Sequence, residues 1–397
     1  MQIDVRAGAA ALALGIGLGV GAALATAAPA SADSADAHSS GPTAHRAAPA
    51  AARGTAKPVT RRDAKPRTAV QTGATAGLSG ATAGLSIKPT ALSPYTLSSG
   101  TTTATELSGL TYAGGTTYYS VGDNGADSIW QVYTSVTSTL GGIRSGFVDT
   151  GITAPALGRD SEGIALTPSG SGVWVSDEIA STITEFSLSD GAKTGSVEVP
   201  SIYRPANVQG DFGLESLAYG AGALWTANEE ALRTDGALST TTAGSWVRIQ
   251  KFNGPDFAPA SQYAYRTDPI AELSPLIDVE RSGLVDMVAL PDGQVLTLER
   301  ELGGFLPIFR SRIYQVGLTE ATDVAGLPSL SDGGFTPVTK TLLWEGYFAF
   351  TNFEGITLGP RLSDGSYTML LVSDDGSGEL AQRQSLLSLT LRGVTTA

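Results

Sequence analysis

From about residue 91 onward, apolar positions come in short β-branched and aromatic runs separated by Gly, Asp, Asn and Ser, with scarcely any stretch at the 3.6-residue period of a helix. Short runs bounded by turn residues predict strands. Several are variants of one pattern: Ser108-Gly109-Leu110-Thr111-Tyr112, Glu162-Gly163-Ile164-Ala165-Leu166, Glu215-Ser216-Leu217-Ala218-Tyr219, Asp286-Met287-Val288-Ala289-Leu290 and Glu354-Gly355-Ile356-Thr357-Leu358. They recur at intervals of 54, 53, 71 and 68 residues. A Gly-containing turn follows each, then a second apolar run that ends in polar or acidic residues: Tyr118 to Asn124, Val173 to Glu178, Leu224 to Glu230, Val295 to Glu301 and Met369 to Asp375. A third run completes the unit, as in Ile183 to Leu188 and Arg312 to Leu318. Antiparallel units repeated at this spacing predict an all-β chain folded as a β-propeller. Five blades are visible and five or six are expected, a sixth being assembled from residues 253–281 or 319–345. Residues 92–99 would supply an edge strand that closes the ring.

The N-terminal part has a different texture. A short polar start leads into an apolar stretch from Ala7 to Ala25 and then to Ala30-Ser31-Ala32, which fits the small-residue rule for a secretory signal cut after Ala32. A retained membrane anchor is the competing reading, disfavoured because no stop-transfer pattern follows. Residues 33–90 are rich in Ala, Thr, Pro and Gly with dispersed Arg and Lys, and hold too few large apolar side chains to offset the entropy of ordering them. The expected organisation is therefore a signal peptide over 1–32, a disordered linker over 33–90 and a propeller domain over 91–397 of a secreted protein.

Charge narrows the chemistry. The chain carries a formal charge of −13, but residues 91–397 hold 34 acidic and 16 basic side chains while residues 33–90 hold 8 basic and 3 acidic ones. An acidic domain repels phosphate backbones and anionic lipid heads, so nucleic acid and, once the signal is removed, membrane are excluded as expected partners. The basic linker is suited to touching anionic cell-wall polymers, and a monomer is expected. Both histidines, His38 and His45, fall in the linker, and the chain has no Cys. The domain thus lacks the side chains for Ser-His-Asp or Cys-His nucleophilic systems and for His-ligated zinc. Carboxylate, Arg, Lys, Tyr and hydroxyl chemistry is what remains.

The first strand of a propeller blade lines the channel and the second runs antiparallel beside it, so the start of one and the end of the other share a face. This gathers acidic residues at one mouth of the channel. The candidate metal ligands are Asp123, Glu162, Asp177, Glu178, Glu215, Glu229, Glu299, Glu354 and Asp374, and Asp286 takes the place of Glu162 in the fourth repeat. Clustered carboxylates raise one another's pKa or recruit cations, and hard oxygen donors suit Ca²⁺. The competing reading is that acidic residues terminate strands because they make turns at low cost. Arg159 and Arg300 are placed near the same mouth, where the planar fork fits phosphate or carboxylate oxygens, or else neutralises its acidic neighbours. With Glu162 and Glu354 they form the candidate catalytic set.

The residues also resemble a known family, the phytase-like domain proteins described by an esterase-like activity of phytase. The matching pieces are Asp160-Ser161-Glu162-Gly163-Ile164-Ala165, Val173-Trp174-Val175-Ser176-Asp177-Glu178, Phe212-Gly213-Leu214-Glu215-Ser216-Leu217-Ala218, Leu296-Thr297-Leu298-Glu299-Arg300-Glu301, Phe353-Glu354-Gly355-Ile356 and Val372-Ser373-Asp374-Asp375 followed by Gln384. They span roughly residues 104–393. The resemblance implies a secreted or periplasmic bacterial propeller, similar in architecture to calcium-dependent phytases, with phosphoester or ester hydrolase activity. The expected function is a Ca²⁺-assisted hydrolase taking a small anionic ester through the metal; the alternative is a secreted binding propeller with structural calcium and no turnover.

Overall fold

The computed structural model describes residues 84–99, 104–123, 127–271, 281–302, 308–377 and 382–395. The signal expected over 1–32 and the linker up to residue 83 lie outside the described residues. Short strands open the domain: β1 (Ser86–Pro89), β2 (Tyr95–Thr96) and β3 (Ser98–Ser99). Blade 1 then runs through β4 (Leu107–Gly114), β5 (Thr117–Gly122), β6 (Ser128–Val136) and β7 (Ile143–Thr153). Blade 2 comprises β8 (Ser161–Leu166), β9 (Gly172–Asp177), β10 (Thr182–Ser187) and β11 (Lys193–Val197). Blade 3 comprises β12 (Leu214–Gly220), β13 (Ala223–Asn228), β14 (Trp246–Asn253) and β15 (Ala258–Arg266). Blade 4 comprises β16 (Arg281–Ala289), β17 (Val295–Leu302), β18 (Ile308–Gly317) and β19 (Thr339–Ala349), and blade 5 comprises β20 (Asn352–Arg361), β21 (Tyr367–Asp374) and β22 (Ser385–Arg392).

The described residues form five sheets, one per blade, so the propeller has five blades and not six. The long inserts considered for a sixth blade instead supply the outer strands β15 and β19. Blade 5 lacks an outer strand of its own, and β1 fills that place by pairing antiparallel with β22, Ser86 opposite Arg392. The closing strand therefore lies at 86–89, inside the stretch read as linker. Within 92–99, β2 also pairs with β22, while β3 pairs parallel with β7 of blade 1. The two ends of the domain are thus hydrogen-bonded together, and β1 gives blade 5 the outer strand that the other blades supply from their own stretch of chain.

The inner strands β4, β8, β12, β16 and β20 each pack against the next, and β20 returns to β4. Small residues permit this at close quarters. A Cβ on Gly163 would stand 2.5 Å from the Leu217 nitrogen of the next blade, and one on Gly109 would stand 2.4 Å from the Glu162 carbonyl. Between blades the strand faces are apolar: Leu298, Ile313, Ile356, Leu371 and Leu389 pack between blades 4 and 5, and Trp174, Leu217, Leu224 and Phe252 between blades 2 and 3. Each such side chain contributes about 1.5–3 kcal/mol by leaving water. Among the described residues no helix is long and apolar enough to cross a membrane.

Candidate functional site

Every inner strand carries a β-bulge near its start, and the bulges set the true register of the repeats. The irregularities fall between Leu107 and Leu110, Ser161 and Ile164, Leu214 and Ser216, Leu284 and Asp286, and Phe353 and Gly355. The extra residue in each blade is then Ser108, Glu162, Glu215, Val285 or Glu354. A bulge re-aims a side chain that would otherwise alternate with its neighbours. Asp286 is one position further along, equivalent to Gly163, Ser216 and Gly355, so the fourth repeat is displaced by one residue from the alignment that sequence alone suggests.

The second strands supply a matching tier. Asp123, Glu178 and Glu229 send their backbone N–H to the carbonyls of Glu106, Asp160 and Gly213, two residues before each bulge. In the same register Arg300 stands opposite Gly283 and Asp374 opposite Asn352. The tier is therefore Asp123, Glu178, Glu229, Arg300 and Asp374, with the arginine in blade 4 alone. Three members approach the following blade. Asp123 bridges to Asp160, Gly213 donates its N–H to Glu178 Oε1 at 3.0 Å, and a Cβ on Gly283 would lie 2.4 Å from the Glu229 side chain.

One nitrogen of Arg300, Nη2, bridges Glu229 Oε1 at 3.1 Å and Glu354 Oε1 at 3.2 Å. Asn352 Nδ2 donates to the same Glu354 oxygen at 2.7 Å. On the opposite side of the ring the carboxylates meet one another. There, Asp123, Asp160 and Glu162 bring ligand oxygens within 4.8 Å of one another, and Glu162, Glu178 and Glu215 do the same, so Glu162 belongs to both groups.

The electrostatics follow from burial and from like charges at close range. Burial, then the charges of Asp123, Glu178, Glu354 and Asp160, push Glu162 well above the ordinary carboxylate range. Burial, then Glu162, Glu178, Glu229 and Glu354, do the same to Glu215. Glu354 is raised by burial and Asp374 although Arg300 opposes the shift, and Asp374 is raised to about 7, chiefly by burial. Arg300 is held charged: its burial works against the guanidinium, but Glu229, Glu354, Glu215 and Asp374 outweigh it.

Of the predicted ligands, Asp123, Glu162, Glu178, Glu215, Glu229, Glu354 and Asp374 stand in these two tiers. Asp177 and Glu299 do not. Each is one residue earlier in its strand than the ring position, and alternation turns its side chain away. Asp177 Oδ1 accepts the Ala180 N–H in a turn at 2.6 Å. Glu299, fully buried, accepts the Tyr265 hydroxyl at 2.7 Å, Arg312 at 3.3 Å and the Lys340 ammonium. Arg159 is exposed, while Arg300 is inside the ring. Asp286 lies deeper and accepts the N–H groups of Met287 at 2.8 Å, Ile356 at 2.7 Å and Leu217, stitching three inner strands together. Sequence reading missed as a site residue Asp160, which stands just before β8 and shares a three-carboxylate group with Glu162. It also missed Asn352 and Arg281, for which no sequence signal exists apart from the blade register.

The donor set fits calcium. Ca²⁺ takes six to eight hard oxygens at about 2.3–2.6 Å, so ligands on opposite sides of one ion are separated by roughly the spread of each three-carboxylate group. Its charge would also relieve the repulsion that raises Glu162 and Glu215.

Comparison with solved structures finds distant similarities. The Kuenenia stuttgartiensis hydrazine synthase is 11% identical with a TM-score of 0.31, covering 68% of this chain and 56% of its own, so this chain spans little more than half of that protein. Myxococcus xanthus glutaminyl cyclase is 11% identical with a TM-score of 0.34, covering 78% of this chain and 97% of that one. A gluconolactonase from Xanthomonas campestris is 11% identical with a TM-score of 0.32, covering 77% and 89%. Similarity this distant carries no argument about chemistry. No curated protein matches the sequence at a significant level. Residues 102–376 match the Phytase-like family, described as esterase-like activity of phytase, and the chain belongs to that family.

Proposed function

We propose that this propeller is a calcium-assisted hydrolase of a small anionic ester, phosphoric or carboxylic. The observation that carries the reading is the carboxylate ring broken by a single arginine: Asp123, Asp160, Glu162, Glu178 and Glu215 on one side, and Arg300 between Glu229 and Glu354 on the other. The first group would hold Ca²⁺, which supplies charge neutralisation for an anionic substrate. Arg300 and Asn352 fix Glu354 through one oxygen, leaving the other to take a proton from the attacking water. A carboxyl group whose pKa burial and like charges raise is a stronger base than an ordinary one, which suits that task. Water adds to phosphorus or to the acyl carbon, the ester C–O or P–O bond breaks, and the alcohol leaves with a proton. Export by the N-terminal segment belongs to the same reading, and sequencing the N-terminus of protein recovered from culture fluid tests it. A chain starting at Asp33 is expected; an uncut chain held in the membrane fraction would establish the anchor instead.

The test of the hydrolase is phosphate release from phytate and from an aryl phosphate, and alcohol release from an aryl carboxylate ester, by the full chain with calcium or with chelator. Release that depends on calcium supports the proposal. A folded sample that is stabilised by calcium and releases nothing from any of the three would establish the alternative, a binding propeller with structural calcium.

A further inference from the structure

The rim above the ring holds a second arginine with different surroundings. Arg281 opens β16 and is two residues before Gly283, on the same face of the strand. The Glu229 side chain occupies the space that Gly283 leaves open, and its charge acts both on Arg281, two residues nearer the start of the strand, and on Arg300, opposite Gly283. Both are partly buried, but Arg300 is committed to Glu229 and Glu354 by ion pairs. The Arg281 guanidinium is 4.8 Å above the ring of buried Phe212 and, among the described residues, forms no ion pair. Stacking on an aromatic face fixes the plane of a guanidinium while leaving its edge N–H groups free to donate.

We propose that Arg281 binds an oxyanion of the substrate at the rim of the channel, reading the anionic group that the acidic ring alone would repel. The ligand class is phosphate or carboxylate, matched bidentately by the planar fork. Burial and the charge of Arg300 lower the Arg281 pKa while Glu229, Glu230 and Asp211 raise it, so the guanidinium stands among charges of both signs at the mouth. This inference rests on the reading of the mouth as a site for an anionic ester.

Calorimetric titration of the calcium-loaded full chain with inorganic phosphate tests it without needing turnover. Arg281→Ala is expected to weaken phosphate binding by about tenfold or more, the effect of removing one charge-assisted contact, and to leave the calcium-induced rise in Tm unchanged. Arg281→Lys, which keeps the charge and loses the fork, should fall between the two. Equal phosphate affinity in all three proteins, or no phosphate binding by the unaltered protein, overturns the proposal. Phosphate binding that depends on Arg281 in a protein that hydrolyses none of the esters keeps this inference and removes the hydrolase.

Discussion

Two parts of this propeller are crowded with carboxylates, and they solve the same electrostatic problem in opposite ways. On the outer side of blade 4, Glu299, Glu301, Asp268 and Glu345 are met by Arg312, Lys340 and Arg310. Arg312 alone reaches Asp268 at 3.0 Å, Glu299 at 3.3 Å and Glu301 at 2.8 Å. Lys340 adds Asp268 at 2.7 Å and sits against the rings of Tyr265 and Tyr314. At the channel mouth a larger set of carboxylates has one cation in the ring register, Arg300. The consequence appears in the titration of each. Burial would raise Asp268, but Lys340 and Tyr314 hold it below the ordinary range, and Glu301 is raised by burial against the opposing charges of Arg312 and Arg310, whereas at the mouth Glu162, Glu215 and Glu354 are driven well up. A fold that places several cations among its carboxylates in blade 4 places far fewer at the mouth, as the proposed calcium site requires.

The sharpest break of this comparison is to remove the cation from the balanced region. Arg312→Leu leaves Glu301 and Glu299 buried with too little opposing charge, and is expected to cost about 3–5 kcal/mol of stability in urea denaturation at neutral pH. The loss should be the same with calcium and with chelator. A loss below about 1 kcal/mol would mean that the network is as lightly held as a surface pair.

The converse change at the mouth should have the opposite sign in the absence of metal. Glu162→Gln removes the carboxylate common to both groups, so in chelator the variant should be as stable as the parent or more so. Calcium should then raise its Tm little, against the roughly 2–4 kcal/mol that a ligand at a hundred to a thousand times its Kd gives the parent. Ester hydrolysis should drop by about a hundredfold or more. An undiminished calcium response in Glu162→Gln would place the metal elsewhere.

How these two regions look in sequence explains what can be read there. The blade count of the visible repeats, the all-β class and the convergence of Asp123, Glu178, Glu229 and Asp374 are legible because strand period and repeat spacing determine them. The final assignment of Glu299 and Asp177 is not. Glu299-Arg300-Glu301 alternates by one residue, and which member faces the channel depends on a bulge in the neighbouring strand that leaves no compositional trace. The same bulge displaces Asp286 from the ring to the level beneath it. Closure by β1 is hidden for a different reason: Ser86–Pro89 gains its order from pairing with β22, some three hundred residues away along the chain, and nothing local marks it as a strand.

Acidity separates the regions again, with a smaller effect. Asp374 has its pKa raised from 3.8 to about 7 in the folded protein, so the folded state holds that proton more tightly than the unfolded chain. Stability from this group is present below its ordinary pKa and lost as pH rises towards 7, when no metal is bound. Asp268 is lowered, so its contribution is present above its ordinary pKa and lost as pH falls below it. Asp374→Asn should therefore flatten the decline of stability between about pH 4 and 7 in chelator, and Asp268→Asn should flatten the acid limb. Saturating calcium should abolish the first difference and leave the second.

The smallest effect belongs to Asp286, which tests whether the acidic ring and the plug beneath it are separate. Its carboxyl group accepts N–H groups from Met287, Ile356 and Leu217, and burial raises its pKa well above the ordinary range. A carboxylate and an amide have nearly the same shape, so Asp286→Asn keeps one acceptor oxygen and turns an amide donor towards a backbone donor. That mismatch is expected to cost about 1–2 kcal/mol in urea denaturation. Because Asp286 is equivalent to Gly163 and Ser216 and not to Glu162, the calcium-induced rise in Tm and the rate of ester hydrolysis should be retained. Loss of the calcium response in Asp286→Asn would mean that the metal reaches the level of the plug, and that the register of the bulges does not divide ligand from scaffold.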